Sequence, residues 1–325
     1  MHNFGSRSVS KAQEHMSDAS FHQRTLEQPV TTRGVGLHTG AQVTLTLRPA
    51  PADHGIVFHR VDLPGSPGIV ATAQAVVDTA LATNLGNGEA RVGTVEHLLA
   101  ALSGLGIDNL RVEVDGPEVP ILDGSSGPFL YLVRSAGIRI LEAPKSFVVI
   151  RRPVVLRDGD REASLSPCDR LRIDCAIDFD HPLVPGQALS IDFSSSTFTR
   201  ELARARTFGF LKDVEAMKSA GLARGGSLEN AIVVDEFSIL NPEGLRYPDE
   251  FVRHKALDAL GDLALFGHPV IGHLRVKKSG HALHHRLVSK VLADASAFAI
   301  VRARRRELER LDLRVPDFAL ALESL

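Results

Sequence analysis

Apolar and polar residues alternate in the first half of the chain as they do in half-buried β-strands. The segments "VTLTLRP" (43–49), "IVFHR" (56–60) and "NLRVEV" (109–114) show this period of two. Between them, "TVEHLLAALSGLG" (94–106) has the spacing of an amphipathic helix that ends at glycine. The stretch "VPILDGSSGPFLYLVRSAG" (119–137) predicts a strand, a turn and a helix, with Pro128 near the helix start and Gly137 beyond its end.

The second half repeats this order of elements. After a linker predicted at "LEAPKS" (141–146), strands resume at "FVVI" and "PVVLRD". They lead to a helix over 250–267, a strand over 270–277 and a helix over 281–292. Aligning the two halves pairs His97 with His254 and Gly104 with Gly261. We therefore expect an α+β fold of two similar domains, related by a pseudo-dyad that brings these two helices to a shared interface.

The predicted domain limits follow from these patterns. Residues 1–21 are polar and rich in turn formers, so they are interpreted as a flexible N-terminal extension. The first α+β domain is predicted over 22–142 and the second over 147–300. Residues 301–325 form a C-terminal tail whose arginines indicate either a solvated helix face or a patch that meets an acidic membrane surface.

One helix of the second half has a polar stripe of unusual composition. His254, Asp258 and Asp262 fall at i, i+4 and i+8 of "DEFVRHKALDALGDL" (249–263), opposite an apolar face. Such a stripe is either a solvated face or part of a metal site that needs a third ligand. His97 can supply that ligand, and Glu96 beside it can act as a base, whereas the alternative is an ordinary helix start capped by Thr94.

A second histidine cluster, "SGHALHH", follows the last predicted strand. His281 comes directly after a Ser-Gly turn, so its side chain is expected to project into a cleft and is the candidate acid. Asp262 on the ligand helix is the carboxylate that we expect to support it. His284 and His285 are expected on the helix surface.

Composition narrows the class of ligand. The 325 residues are 44% hydrophobic and 23% charged, and 37 Lys and Arg nearly balance 39 Asp and Glu, for a net charge of -2. This balance favours metabolite-sized ligands over nucleic acid. We expect a cytoplasmic protein without membrane insertion, since the sequence has neither a long apolar run nor a signal peptide. Cys168 and Cys175 lie near a strand-like alternation and are expected to be free thiols.

These motifs, with "GVGLHTG" (34–40), "ILDGSS" (121–126), "RARTFGF" (204–210) and "KSGHALHH" (278–285), closely resemble the UDP-3-O-acyl-N-acetylglucosamine deacetylases. The resemblance runs from about residue 22 to about residue 293. It implies hydrolysis of the N-acetyl group of a UDP-3-O-(3-hydroxyacyl)-N-acetylglucosamine, the committed step of lipid A synthesis. It also implies two α+β domains, each a β-sheet with two helices, packed with the helices between the sheets.

The resemblance assigns a role to each residue of the stripe and its neighbours. It implies that His97, His254 and Asp258 bind Zn²⁺, although these ligand types also suit Fe²⁺. Glu96 corresponds to the general base and His281 to the histidine acid supported by Asp262, as proton donor or charge stabiliser. Thr207 corresponds to the hydroxyl that holds the oxyanion, and Lys255 to a basic residue at the substrate.

Substrate contacts are implied at further positions. The resemblance places His38 facing the substrate, Phe179 under the uracil, and an apolar acyl passage in the insert (residues 208–234), lined in part by Phe208, Leu211, Val214 and Leu228. A small satellite core is the alternative for the insert residues, and packing is the alternative for Phe179. We expect a monomer. The rival functions are another zinc amidase or peptidase and a non-catalytic UDP-sugar-binding module with structural zinc.

Overall fold

A computed structural model describes residues 20–318. Its strands are β1 His22–Leu26, β2 Val30–Val35, β3 Gln42–Pro49, β4 Ile56–Arg60, β5 Gly68–Val70, β6 Val76–Asp78, β7 Asn84–Asn87, β8 Ala90–Val92, β9 Leu110–Val114, β10 Ile138–Pro144, β11 Ser146–Ile150, β12 Val154–Asp158, β13 Arg161–Ser166, β14 Leu171–Ile177, β15 Gln187–Asp192, β16 Phe208–Phe210, β17 Ile232–Val234, β18 Val270–Lys277 and β19 Phe298–Arg302. The α-helices longer than one turn are α1 Glu96–Gly104, α2 Gly127–Ser135, α3 Leu211–Ser219, α4 Glu250–Leu263, α5 His281–Leu292 and α6 Arg305–Arg310.

Each half of the chain forms its own main sheet. In the first half the strand order is β2-β3-β9-β4-β5, with β4 and β9 parallel and the other pairs antiparallel. In the second half β18 pairs with β11 and β14 in parallel and with β13 antiparallel, and β12, β15 and β19 lie at the edges. The protein is thus α+β with two similar domains, and helices α1, α2, α4 and α5 pack between the sheets as expected.

Helices α1 and α4 cross in backbone contact at the centre of the molecule. A Cβ placed on Gly261 would lie 2.1 Å from the carbonyl oxygen of Glu96, which only a glycine avoids. Gly104, its partner in the repeat, makes similar room for the ring of Phe198. Gly261 therefore brings the helix that carries Glu96 and His97 directly against the helix that carries His254.

Of the two alternatives for the polar stripe of α4, the solvated face is wrong. His254, Asp258 and Asp262 are 2%, 2% and 1% exposed, and the apolar side of the helix is buried as well. The helix is therefore enclosed on all sides. Three buried polar groups on one helix need partners, because burying an unpaired charge is costly.

Two local predictions, a strand at 119–121 and an exposed His284, and the alternative of a Thr94 cap also differ from the structure. Residues 119–121 form no strand, and α1 begins at Glu96 without a side-chain cap. Thr94 is buried with φ 55°, and its hydroxyl donates to Glu118 instead of capping the helix. His284 is buried, not exposed, because its ring reaches Asp262. The helix over 281–292 and the alternation of β14 are confirmed, and both cysteines are free.

The junctions between the predicted domains contain regular structure. Strand β10 ends at Pro144 and β11 begins at Ser146, so the predicted linker includes only Lys145 outside a strand. Strand β19 extends to Arg302, and Phe318 is fully buried under the cations of Arg24 and Lys145. Residues 1–19 and 319–325 of the predicted extension and tail lie outside the described residues.

Candidate metal and catalytic site

Three side chains from the two central helices meet at one point. The Nε2 atoms of His97 and His254 lie 3.5 and 3.3 Å from the same oxygen, Oδ1 of Asp258. The two imidazole rings are nearly perpendicular, with centroids 4.9 Å apart. All three residues are at most 3% exposed. One atom from each residue thus converges on a common point, as a tridentate metal site requires.

The hydrogen bonds around this cluster fit a metal cation. Nδ1 of His254 donates a hydrogen bond to the carbonyl oxygen of Ala205, 3.0 Å away. Its Nε2 is therefore left as the free ligand atom. Asp258 Oδ1 is buried without a hydrogen-bond partner. Burial lowers the pKa of His254 to about 3, so its ring stays neutral and able to bind a metal. An unpaired buried carboxylate oxygen facing two imidazole nitrogens is the arrangement that a divalent cation stabilises.

Glu96 stands beside the cluster and faces His281. Its Oε2 accepts a hydrogen bond from the backbone N–H of Thr83 at 3.0 Å, and its Oε1 lies 3.8 Å from His281 Nε2. Burial raises the pKa of Glu96, although the nearby histidines act in the opposite direction. The result is a carboxylate of increased basicity, held by one oxygen and free at the other.

His281 is held by Asp262, as the sequence predicts. Its Nδ1 lies 2.8 Å from Asp262 Oδ2. Burial alone would lower the pKa of His281, but the carboxylates of Asp262 and Glu96 raise it to about 9. The ring is therefore an imidazolium at neutral pH, with Nε2 directed toward Glu96.

Two residues that the sequence analysis did not assign complete this network. His284 Nδ1 lies 2.8 Å from Asp262 Oδ2, and its Nε2 lies 2.7 Å from Ser279 Oγ. Thr83 Oγ1 donates to Asp262 Oδ1 at 2.5 Å. Asp262, His281 and His284 form a second group with metal-ligand atoms, but there both imidazoles donate to Asp262 and leave no buried carboxylate oxygen unpaired. The only signal for His284 was its place in "SGHALHH", and Thr83 gave none.

Lys255 contacts the metal cluster, and Thr207 lies close in sequence to Ala205, whose carbonyl binds His254. Thr207 follows Ala205 by two residues and is fixed by backbone hydrogen bonds. Its N–H donates to the carbonyl of Gly124, and its carbonyl accepts from the N–H of Ile232. Lys255 donates to Asp258 Oδ2 at 2.9 Å, so the sequence-predicted substrate lysine is paired with a ligand of the cluster. Burial would lower the pKa of Lys255, yet Asp258 raises it above its ordinary value.

Aromatic rings continue from the cluster toward the surface. Phe208 lies 6.3 Å from the His254 ring and 5.7 Å from Phe179, between ring centroids. An open cleft of about 740 Å³ follows, lined by Phe179, Leu211 and the 83% exposed Phe237 among others. The structure thus brings Phe179 and Leu211 together, whereas Phe208, Val214 and Leu228 do not line this cleft.

The insert is framed by a parallel strand pair, and its helix α3 is loosely packed whereas strand β17 is buried. Strands β16 and β17 pair in register, Phe208 opposite Ile232, and α3 between them buries none of its side chains. Val214 is half-buried and Leu228 is 38% exposed. A satellite core of the kind considered above is absent from this helix.

His38 lies in a loop anchored by a buried carboxylate. Glu118 accepts from the backbone N–H groups of His38 and Thr39 and from the hydroxyls of Thr39 and Thr94. The loop also meets the insert, because Arg224 N–H donates to the carbonyl of His38. Burial lowers the pKa of His38, and its Nδ1 has no hydrogen-bond partner. The ring is therefore neutral, and one of its nitrogens is buried without a hydrogen-bond partner.

Within residues 20–318, no helix combines the length and apolar composition needed to cross a membrane.

Comparison with known proteins gives one consistent result. The sequence pattern of the family described as "LpxC: UDP-3-O-acyl N-acetylglycosamine deacetylase" matches residues 23–293. A UDP-3-O-acyl-N-acetylglucosamine deacetylase of Myxococcus xanthus is 62% identical over 308 residues, which cover 95% of this chain and 98% of the relative. Similar proteins of that name from Anaeromyxobacter dehalogenans and Idiomarina loihiensis are 56% and 57% identical, covering 93% and 86% of this chain and 98% and 92% of their own lengths.

Proposed function

Because the chain belongs to the UDP-3-O-acyl N-acetylglycosamine deacetylase family, we propose that it hydrolyses the N-acetyl group of a UDP-3-O-(3-hydroxyacyl)-N-acetylglucosamine in a metal-dependent reaction. The products are acetate and the free amine, and the reaction is the committed step of lipid A biosynthesis. One observation carries the metal dependence: the buried, unpaired Oδ1 of Asp258 faces the free Nε2 atoms of His97 and His254.

His97, His254 and Asp258 would hold the metal. Zn²⁺ is the proposed ion, and Fe²⁺ is the alternative that imidazole and carboxylate ligands also accept. When bound there, the ion supplies a Lewis acid that lowers the pKa of water and polarises the acetyl carbonyl. Three protein ligands leave room for small molecules to bind, which separates a catalytic site from a structural one.

Glu96 is the proposed general base and His281 the proposed acid. The burial-raised pKa of Glu96 suits it to take a proton from the attacking water at its free Oε1. His281 enters the reaction protonated, and its Nε2, 3.8 Å from that oxygen, is directed at the same space. It stabilises the negative charge of the tetrahedral intermediate and supplies the proton that the leaving nitrogen needs.

The remaining residues are proposed to contact the oxyanion and the substrate. The hydroxyl of Thr207 is proposed to donate to the oxyanion, and Lys255 to bring positive charge to the substrate. Phe179 and His38 are the proposed contacts to the uridine and the sugar. Phe208, Leu211, Val214 and Leu228 are the proposed contacts to the acyl chain, supported by the loose packing of helix α3 beside the aromatic cleft.

The test measures metal and product together. Purified protein is stripped with a chelator and reloaded with Zn²⁺ or Fe²⁺, and acetate release from a 3-O-acylated UDP-N-acetylglucosamine is followed against a panel of acetylated peptides. We expect one bound ion per chain, and acetate only from the UDP-sugar. Peptide turnover would favour another zinc amidase, and binding of the UDP-sugar without acetate release would favour a binding module.

The proposal also includes the sequence-based domain limits, 22–142 and 147–300, a cytoplasmic location and a monomeric state. Size-exclusion chromatography with light scattering measures the last of these.

A further inference from the structure

Thr83 is buried between Glu96 and Asp262, and all of its polar atoms form hydrogen bonds there. It is 1% exposed and directly precedes β7. Its N–H donates to Glu96 Oε2 at 3.0 Å, and its carbonyl accepts from the N–H of Val95 at 3.3 Å, next to the start of α1. Its hydroxyl donates to Asp262 Oδ1 at 2.5 Å. Thr83 thus contacts both Asp262, which is the partner of His281, and Glu96, which is the proposed base.

The hydroxyl of Thr83 fixes the orientation of Asp262. Oδ2 of that carboxylate already receives the Nδ1 atoms of His281 and His284, each at 2.8 Å. With Thr83 on Oδ1, both carboxylate oxygens are held and the carboxylate plane has one orientation. Asp262 is 1% exposed, so loss of the hydroxyl would leave Oδ1 a buried acceptor without its partner. The carboxylate would then rotate, and the ring of His281 would move with it.

We propose that Thr83 is a positioning residue that holds Glu96 and His281 at a fixed separation, through its amide on one side and its hydroxyl on Asp262 on the other. The hydrogen bonds of Thr83 reach Glu96 and Asp262, and its hydroxyl also lies 3.3 Å from Nδ1 of His281, whereas none of them reaches His97, His254 or Asp258. The inference rests on the proposed function, because it assigns Glu96 and His281 to the two proton transfers of that reaction. The effect is geometric, and displacements of about 1 Å between catalytic groups can cost on the order of a hundredfold in rate.

A purely structural role for the hydroxyl makes a different prediction. If it only satisfies a buried carboxylate, its removal lowers the melting temperature and leaves kcat unchanged. If it positions Asp262, kcat falls while KM and metal content stay constant. Thr25 offers a matched control, since it is also fully buried with its hydroxyl bonded, there to the N–H of Ala50.

The experiment compares Thr83→Val, Thr83→Ala and Thr83→Ser in the full-length, metal-loaded protein, with Thr25→Val as control. Valine keeps the shape and the backbone amide but lacks the hydroxyl, and serine keeps the hydroxyl. We expect Thr83→Val to lower kcat about ten- to a hundredfold, with KM and bound metal within about twofold of wild type. Thr83→Ser should restore kcat to within about threefold. If Thr83→Val does not fold, Thr83→Ala replaces it in the comparison.

A double-mutant cycle with Asp262→Asn completes the test. If Thr83 acts through Asp262, Thr83→Val should have little further effect on kcat in the Asp262→Asn background. Wild-type kcat in Thr83→Val, losses that multiply in the double variant, or a loss of kcat in Thr83→Ser equal to that in Thr83→Val would overturn the inference. Failure of the proposed function is distinct, because the wild type itself would then release no acetate.

Discussion

The metal cluster and the insert are built in opposite ways. Asp258 is 2% exposed between two helices whose backbones touch at Gly261, and hydrogen bonds hold His254 to Ala205 and Asp258 to Lys255. Helix α3 of the insert buries no side chain, and Leu228 beyond it is 38% exposed. The cluster is therefore enclosed, whereas the insert leaves apolar side chains such as Leu228 partly exposed.

In the proposed reaction, this difference would place bond cleavage at the cluster and recognition of the acyl chain at the insert. Bond cleavage requires groups fixed to fractions of an ångström, and a buried helix crossing supplies that rigidity. Recognition of an alkyl chain requires apolar area, which an open helix face supplies. Changes in the cluster should therefore abolish turnover of every substrate, and changes in the insert should alter only the preference among acyl chains.

Replacing the base is expected to have the largest effect on turnover. Glu96→Gln keeps the shape of the side chain but cannot accept the proton, so kcat should fall about 10²- to 10⁴-fold. Bound metal should remain at one ion per chain, because Glu96 is not a ligand in this account. Loss of the metal together with activity would make Glu96 a ligand or a structural residue.

Replacing the acid should change the pH dependence. Because the pKa of His281 is raised to about 9, the wild type should keep its activity through neutral pH and lose it as His281 deprotonates above its ordinary value. In His281→Ala, kcat should fall about a hundredfold and this basic limb should vanish, while the acidic limb set by Glu96 stays. A basic limb that survives in the variant would refute the assignment.

Separating the two helices should damage the cluster without changing a polar group. A methyl group at Gly261 would overlap the carbonyl oxygen of Glu96, so Gly261→Ala should lower the free energy of unfolding by about 1–3 kcal/mol and weaken metal binding. Gly186→Ala is the control, since its Cβ would make only ordinary contacts. Equal melting temperatures and equal metal affinities in the two variants would show that the close approach is unimportant.

A charge in the insert should change only selectivity. Each methylene that leaves water contributes about 0.8 kcal/mol, so the wild type should prefer a long 3-O-acyl chain to a truncated one by orders of magnitude in kcat/KM. Leu228→Asp should remove much of that preference and leave turnover of the non-acylated UDP-sugar unchanged. The test measures kcat/KM for wild type and Leu228→Asp with each of the two substrates. Equal wild-type values for both substrates would refute the proposal that the insert forms an acyl passage.

The features predicted best from the sequence are those that depend on a local pattern of apolar and polar residues. The helix over 281–292 and the candidate ligands at i and i+4 on α4 follow from a period near 3.6 residues, and the structure shows both helices where the period placed them. The meeting of His97 with His254 required the weak internal repeat, because nothing local joins residues so far apart. The burial of the polar stripe on α4 was not predictable from its amphipathic pattern, because a buried metal site and a solvent-exposed helix face have the same pattern of polar residues.

Contacts between distant segments were missed. Thr83 reaches Asp262 across 179 positions of the chain, and its neighbours give it no distinctive pattern. His284 looked like a surface residue of an amphipathic helix until Asp262 and Ser279 were found on either side of its ring. Thr94 has the side chain of a helix cap, but the buried carboxylate of Glu118 binds its hydroxyl instead.

The central claim is that the metal binds to the cluster of His97, His254 and Asp258 and not to the neighbouring group of Asp262, His281 and His284. The most direct test is calorimetric titration of Zn²⁺ into metal-free His254→Ala and His284→Ala. His254→Ala should lose affinity by more than the roughly 10- to 100-fold that changes outside the ligand set cost. His284→Ala should bind Zn²⁺ within about threefold of wild type. The reverse result, with affinity lost in His284→Ala and kept in His254→Ala, would contradict the account.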